Sequence, residues 1–172
     1  MHKIFVYFFL FFFYSSIVNS SENINIKLID LNYILNNSLQ GKKIMQNLDN
    51  QNKSLSEKYL EIQKKLEEDK NLILSQQNIL EKDIYNKKVS VHQKNINKFN
   101  EDRKLDLKMI NDYKINETNK LLKIIDNMLI EYSKNNNISL ILKKESLLIS
   151  SQTLDITNII LDKLNKDSKN NN

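Results

Sequence analysis

Most of the chain carries the periodicity of apolar residues that is typical of helices. Between residues 42 and 134 there is no glycine or proline, and apolar residues recur at steps of three, four and seven. Such steps keep one face of a helix apolar, as in a coiled coil. In the first half of this stretch the predicted seam comprises Leu48, Leu55, Tyr59, Ile62, Leu66, Ile73 and Leu80.

The second half of the stretch continues the seam less regularly. Its members are Ile96, Phe99, Ile110, Leu121, Ile125, Met128 and Tyr132. The step of 11 from Phe99 to Ile110 departs from a heptad and would relax the supercoil locally. One helix over the whole stretch would be about 140 Å long and could not bury its own seam. We therefore predict a fold-back hairpin with its tip near residues 75–78.

Segments on either side of the helical stretch show the period of two that is typical of strands. The first, INIKLID at 24–30, predicts a strand, and Asp30 is placed to cap a short helix after it. Gly41, the only glycine, then predicts a break. The second segment, ISLILKKESLLIS at 138–150, predicts two strands around a polar turn.

The remaining boundaries follow from these elements. Asp155 or Thr157 can cap a last helix, and a disordered tail is predicted at 167–172. The fold class is mainly α with a small β part, in which a helical coiled-coil hairpin arm at 42–134 projects from a β body at 21–41 and 135–166. Three short strands make a marginal sheet whose edges invite other copies. The predicted oligomer core is Ile26, Leu28, Leu140, Leu142, Leu147 and Ile149.

The first twenty residues are predicted to be a signal peptide rather than part of the fold. A basic start is followed by an apolar run of about 15 residues, and small residues precede a cleavage point after Ser20. A retained membrane anchor is the alternative, although a span needs about 20 apolar residues. We expect an exported protein.

Composition narrows the classes of function. The chain has no cysteine, so neither a disulfide framework nor a thiol nucleophile is available, and oligomerisation is the expected source of stability. His92 is the only histidine outside the predicted signal peptide, and we predict that it is solvated on the arm. The acidic run at 67–69 is predicted to be a solvated face as well. We expect no enzyme activity, no metal site and no cofactor.

The net charge of +5 is unevenly distributed along the arm. Residues 84–100 contain no acidic side chain but four lysines, Lys87, Lys88, Lys94 and Lys98. Two interpretations stay open: a solvated helix face, or a surface that attracts acidic segments of other polypeptides or anionic lipid such as lipopolysaccharide. Nucleic acid is not an expected partner, because the protein is predicted to be exported and the rest of the arm alternates in sign.

Three stretches resemble the Skp/OmpH family of periplasmic chaperones, and the resemblance extends over about residues 24–166. The first and last are IKLIDLNYILNNSLQGKK at 26–43 and NNISLILKKESLLISSQTLDITNIILDKLNK at 136–166. The middle of the chain has the length and charge-rich composition of the family, including LILSQQNILEKDI at 72–84 near the predicted tip. The arm is poorer in alanine and arginine than is usual in that family. The resemblance implies a homotrimer, in which strands from three chains close a small body and three hairpins surround a cavity.

The resemblance also implies a function. It is that of a holdase, which binds unfolded outer-membrane proteins without ATP until they reach the outer membrane. The alternative is a structural coiled-coil spacer or adaptor of the cell envelope. A spacer needs a continuous seam and no terminal strands, whereas this seam has polar residues at Asp69 and Gln76. The sequence therefore favours the holdase.

Overall fold

The computed structural model describes residues 24–170, so the predicted signal peptide lies outside the described residues. Within them the elements follow in the order β1 (Ile26–Ile29), α1 (Leu31–Asn37), α2 (Leu39–Ser75), α3 (Lys82–Asn135), β2 (Leu140–Lys143), two 3-10 turns (Lys144–Ser146 and Gln152–Leu154) and α4 (Thr157–Asn170). The predicted combination of a long helical hairpin and a small β part is confirmed. None of the helices in this range combines the length and the apolar content that a bilayer crossing demands.

The two strands meet at the base of the hairpin. They pair in parallel, with Ile26 opposite Leu140 and Leu28 opposite Leu142. The strand predicted from 24–30 and the first strand of the predicted pair are thus confirmed. The other edge of β1 is also occupied, because the Ile156 amide donates a hydrogen bond of 2.9 Å to the Leu28 carbonyl.

The second strand of the predicted pair, at 147–150, is wrong. After β2 the chain turns through Lys144–Ser146 and leaves the sheet, so that Leu148 and Ile149 are 104% and 93% exposed. The outer edge of β2, which this segment would have needed as its partner, pairs with no strand in residues 24–170, and the other edge of β1 is bridged by Asp155. Alternation of apolar and polar residues gives a strand only where the preceding turn leads the chain back along a neighbouring strand, and the 3-10 turn does not do so here.

A compact core lies where the arm joins the strands. It combines one residue of β1, one of α1, three of α3 and an apolar cluster at the start of the last helix. Its members are Ile29, Ile34, Leu121, Ile125, Met128, Ile156, Ile160 and Leu164. A single chain therefore already buries a core in its body, chiefly through helix packing.

Gly41 does not mark a break, which corrects the sequence prediction. The break lies at Ser38, whose buried hydroxyl accepts a hydrogen bond of 3.1 Å from the Gly41 amide and so caps α2. Gly41 belongs to the first turn of that helix, where a Cβ atom would lie 1.7 Å from the Leu35 carbonyl oxygen. The glycine is required because the end of α1 approaches the start of α2 so closely.

The arm consists of α2 and α3, packed antiparallel. They measure about 55 Å and 80 Å at 1.5 Å per residue. Every residue of the predicted seam on both helices is buried or half-buried, which confirms the seam. The reversal predicted at 75–78 is confirmed too, since α2 ends at Ser75 and the Ile79 and Leu80 amides bond back to the Gln76 carbonyl.

The last helix is tied to the first strand and runs further than predicted. Asp155 accepts a hydrogen bond of 2.9 Å from the Thr157 amide, and the Thr157 hydroxyl accepts one of 2.9 Å from the Asp30 amide. Asp30 in turn caps α1, as predicted, by accepting from the Tyr33 amide. The disordered tail is wrong for residues 167–170, because Ser168 is buried and its hydroxyl donates to the Leu164 carbonyl.

Candidate functional site

Four side chains join the two arm helices midway along the hairpin. Lys58 and Tyr59 of α2 meet Phe99 and Asp106 of α3, and we call this group the Tyr59 cluster. Tyr59 is 5% exposed, and its ring meets that of Phe99 edge-on with centroids 5.4 Å apart. The Tyr59 hydroxyl donates to Asp106 Oδ2 at 2.8 Å, and Lys58 Nζ donates to the same oxygen at 2.7 Å. The phenol ring is thus buried with its hydroxyl satisfied.

These contacts also set the charges of the cluster. The hydrogen bond from Lys58, with a second from Tyr59, lowers the pKa of Asp106. The same Asp106 bond raises the pKa of Lys58, and burial together with that carboxylate raises the pKa of Tyr59. At neutral pH the cluster therefore holds an ionised Lys58–Asp106 pair and a protonated phenol.

The Tyr59 cluster marks a change in how firmly the arm is packed. Tyr59 is the last buried residue of α2, and α3 has no buried residue before Leu121. Beyond the cluster, residues 60–98 are held together by half-buried seam positions and by the bond from Lys88 Nζ to Gln76 Oε1 at the turn. Segments with few buried contacts open at low cost in free energy.

Replacing Asp106 with asparagine should loosen the outer half of the arm. The variant removes the acceptor charge shared by Lys58 and Tyr59, so amide hydrogen exchange at 60–98 should become faster at neutral pH. Asp102→Asn is the matched control, since Asp102 is exposed, lies one turn away and makes the same change in charge. Equal exchange rates in both variants would show that the cluster does not secure the outer arm.

The pH dependence of this effect has a definite sign. Because the pKa of Asp106 is lowered in the folded arm, its ionised form contributes stability that is fully present above the ordinary value of 3.8. That contribution is lost as the pH falls through the lowered pKa. The helix content of the wild type and the Asp106→Asn variant, followed by circular dichroism, should therefore differ above pH 3.8 and converge below it.

An apolar groove lies between α2 and α3 near the turn, and we call it the distal groove. It has a volume of about 430 Å³, and its apolar lining consists of Leu72 and Ile73 from α2 with Ile84 and Val91 from α3. Its polar lining is Asp69, Lys87, Lys88, His92 and Asn95. The groove combines exposed apolar side chains with a positively charged margin.

The four lysines that the sequence indicates as candidates for attracting acidic or anionic partners lie in two different places. Lys87 and Lys88 line the distal groove, whereas Lys94 and Lys98 are exposed further along α3 and do not line it. The prediction that His92 is solvated holds only in part, because the residue is half-buried and its Nδ1 atom is buried without a hydrogen-bond partner among the described residues. No metal-binding group of three acidic or histidine side chains occurs in residues 24–170.

The residues predicted to form an oligomer core occupy several environments in one chain. Leu28 is buried and Ile26 and Leu142 are half-buried, while Leu140, Leu147 and Ile149 are exposed. Sheet pairing brings the first four together, and the 3-10 turn separates the other two from them. Their role in assembly stays a prediction.

Leu72, Ile84 and Val91 of the distal groove were not predicted from the sequence, whereas Ile73 was predicted as part of the seam. Ile84 and Val91 are seven residues apart and lie beside the seam rather than on it. The spacing was a usable signal, since a second apolar row at heptad distance is not needed to hold two helices together. Leu148, the most exposed apolar residue of the body, was not singled out from the sequence either.

Comparisons with known proteins give a family match and a structural likeness. The model of a family described as outer membrane protein (OmpH-like) matches residues 25–164. The fold is similar to the crystal structure of an OmpH-like protein from Caulobacter crescentus CB15, described as an outer membrane chaperone, with a TM-score of 0.78 and 12% sequence identity over 84% of this chain and 85% of that chain. No curated protein sequence matches the chain. At this identity the structural likeness shows a shared fold alone.

Proposed function

The chain belongs to the OmpH-like outer membrane protein family, and on that premise we propose that it is an ATP-independent holdase chaperone of the periplasm. It binds unfolded outer-membrane proteins and keeps them soluble for delivery to the outer membrane. The family match supports a chaperone role in general, and the surface of the arm supports the holding of unfolded chains in particular.

The observation that carries the proposal is the apolar surface that the arm leaves uncovered. The seam residues lie between α2 and α3, and large apolar side chains off the seam are exposed along most of the hairpin. They include Leu60, Leu72, Leu74, Ile84, Val91, Leu105, Leu107 and Met109. Exposed apolar surface of this extent is an aggregation risk for a simple spacer, whereas a holdase uses it to contact unfolded chains.

We propose in addition that the working form is a homotrimer. One hairpin is only two helices wide and cannot surround a client. The body exposes Leu140 on β2 and Leu147, Leu148 and Ile149 on the segment that follows it, and the outer edge of β2 pairs with no strand in residues 24–170. Both features suit contact with further copies of the chain, which would place three arms around a common cavity.

The proposal predicts that the protein suppresses aggregation without nucleotide. An outer-membrane β-barrel protein diluted out of urea should stay clear in light scattering when the chaperone is present at a slight molar excess of trimers. Addition of ATP should make no difference, and an unrelated folded protein at the same mass concentration should give no protection. Unhindered aggregation in the presence of intact trimer would favour the spacer function instead.

A further inference from the structure

The two sides of helix α2 near the turn carry equally exposed leucines in different surroundings. Leu72 and Leu74 are 54% and 51% exposed, and two residues along a helix point in directions about 200° apart. Leu72 lines the distal groove together with Ile84 and Val91, whereas Leu74 does not line it. Leu72 therefore shares the groove with other apolar side chains, whereas the equally exposed Leu74 lies outside it.

The charge of the groove selects among apolar occupants. Lys87 and Lys88 line it, and neither forms an ion pair with any of residues 24–170. Lys88 is bonded to the neutral Gln76 amide, so its charge is not compensated. Asp69 is the only carboxylate of the lining. An occupant that carries apolar side chains and carboxylates would complement this margin.

The shape and polar groups of the groove favour a polypeptide. Its volume of about 430 Å³ lies at the lower end of the range for binding clefts, about 300–1,000 Å³, which suits a few side chains rather than a folded domain. A peptide backbone also supplies N–H donors for Asp69 and for the Asn95 side-chain oxygen. Asp69 repels the charge of a phosphate as it repels a carboxylate, but a phosphate group has no N–H donor to offset this repulsion, whereas a peptide backbone has.

We propose that the distal groove binds an extended, acidic and apolar segment of an unfolded polypeptide. Apolar side chains of the segment lie against Leu72, Ile84 and Val91, and its carboxylates face Lys87 and Lys88. This inference rests on the proposed holdase function and names the part of a client that the outer arm recognises. It also assigns client contact to one side of the hairpin.

The test compares Leu72→Gln with Leu74→Gln in the full-length assembled protein. The probe is a fluorescent twelve-residue peptide with alternating leucine and glutamate, and its binding is measured by fluorescence anisotropy. Leu72→Gln should weaken binding about fivefold, since roughly half of a leucine side chain leaves water in the complex. Leu74→Gln should change binding by less than about twofold. Melting curves check that both variants remain folded, as their exposure predicts.

A second peptide, in which lysine replaces glutamate, tests the contribution of charge. The acidic peptide should bind more tightly than the basic one at about 20 mM salt, where charges act over about 20 Å. Lys87→Gln should reduce the difference in affinity between the two peptides. Equal binding of the two peptides would overturn the inference. So would equal losses in the two leucine variants, or a Leu72→Gln defect confined to vesicles of anionic phospholipid.

Failure of this inference can be told apart from failure of the proposed function. If the wild type suppresses aggregation of the β-barrel client while Leu72→Gln and Leu74→Gln perform alike, the holdase stands and the groove is not its binding site. If the wild type itself gives no protection, the proposed function is wrong whatever the peptides do.

Discussion

Ile149→Asp should leave each chain folded but prevent assembly into trimers. Ile149 is 93% exposed, so the aspartate costs the single chain nothing in its own core. In a trimer, by contrast, an ionised carboxylate would be transferred from water to an apolar contact in all three chains, at a cost of several kcal/mol unless each finds a partner. Light scattering should report the mass of a single chain, with helix content unchanged by circular dichroism.

The matched control for this prediction is Leu60→Asp. Leu60 is also exposed but lies on the arm, where the proposed body interface does not reach, so this variant should remain a trimer. A trimer of normal mass for Ile149→Asp would place the interface elsewhere. Loss of helix content would show instead that Ile149 supports the fold of the single chain, contrary to its exposure.

Gly41→Ala should destabilise the protein strongly, although alanine normally favours helices. In an exposed helix interior this substitution stabilises by up to about 1 kcal/mol. Here the new Cβ would lie 1.7 Å from the Leu35 carbonyl oxygen, and because that atom belongs to the backbone, α1 and α2 must move apart. The movement would disturb Ile34, which is fully buried in the body core. We expect the free energy of unfolding to fall by about 3 kcal/mol or more.

The control is Lys42→Ala, which changes the next residue of the same helical turn at an exposed position. Its effect should stay within about 0.5 kcal/mol. Urea unfolding of both variants at the same protein concentration measures the difference, since dissociation and unfolding are coupled in an oligomer. An unchanged midpoint for Gly41→Ala would mean that the approach of Leu35 relaxes at little cost.

The arm was predictable from sequence because its information is local and repeated. Successive turns of α2 and α3 place apolar residues on the same face, so the seam from Leu48 to Tyr132 can be predicted from the spacing of apolar residues alone. The turn at Gln76 was found where polar residues interrupt that seam. The period of the apolar residues thus predicts helices even where no glycine or proline marks their ends.

The body was harder to predict because its elements depend on distant neighbours. The alternation at 147–150 resembles a strand, but the 3-10 turn at Lys144–Ser146 leads the chain away from the free edge of β2. Gly41 looked like a helix break, yet its role is set by the backbone of Leu35. Residues 167–170 continue α4, in which Ser168 is buried and its hydroxyl donates to the Leu164 carbonyl. The distal groove likewise exists only once the register of α2 against α3 is known.

The parallel pairing of β1 with β2 has a consequence for the order of folding. The Asn25 amide bonds to a side chain 114 residues further along the chain, so the sheet has very high contact order. Closing so long a loop from a random coil costs about 4 kcal/mol in chain entropy. Formation of the hairpin first removes most of that cost, because its ends already lie side by side. During synthesis β1 is made first, and it stays unpaired until β2 has been synthesised and the hairpin has formed.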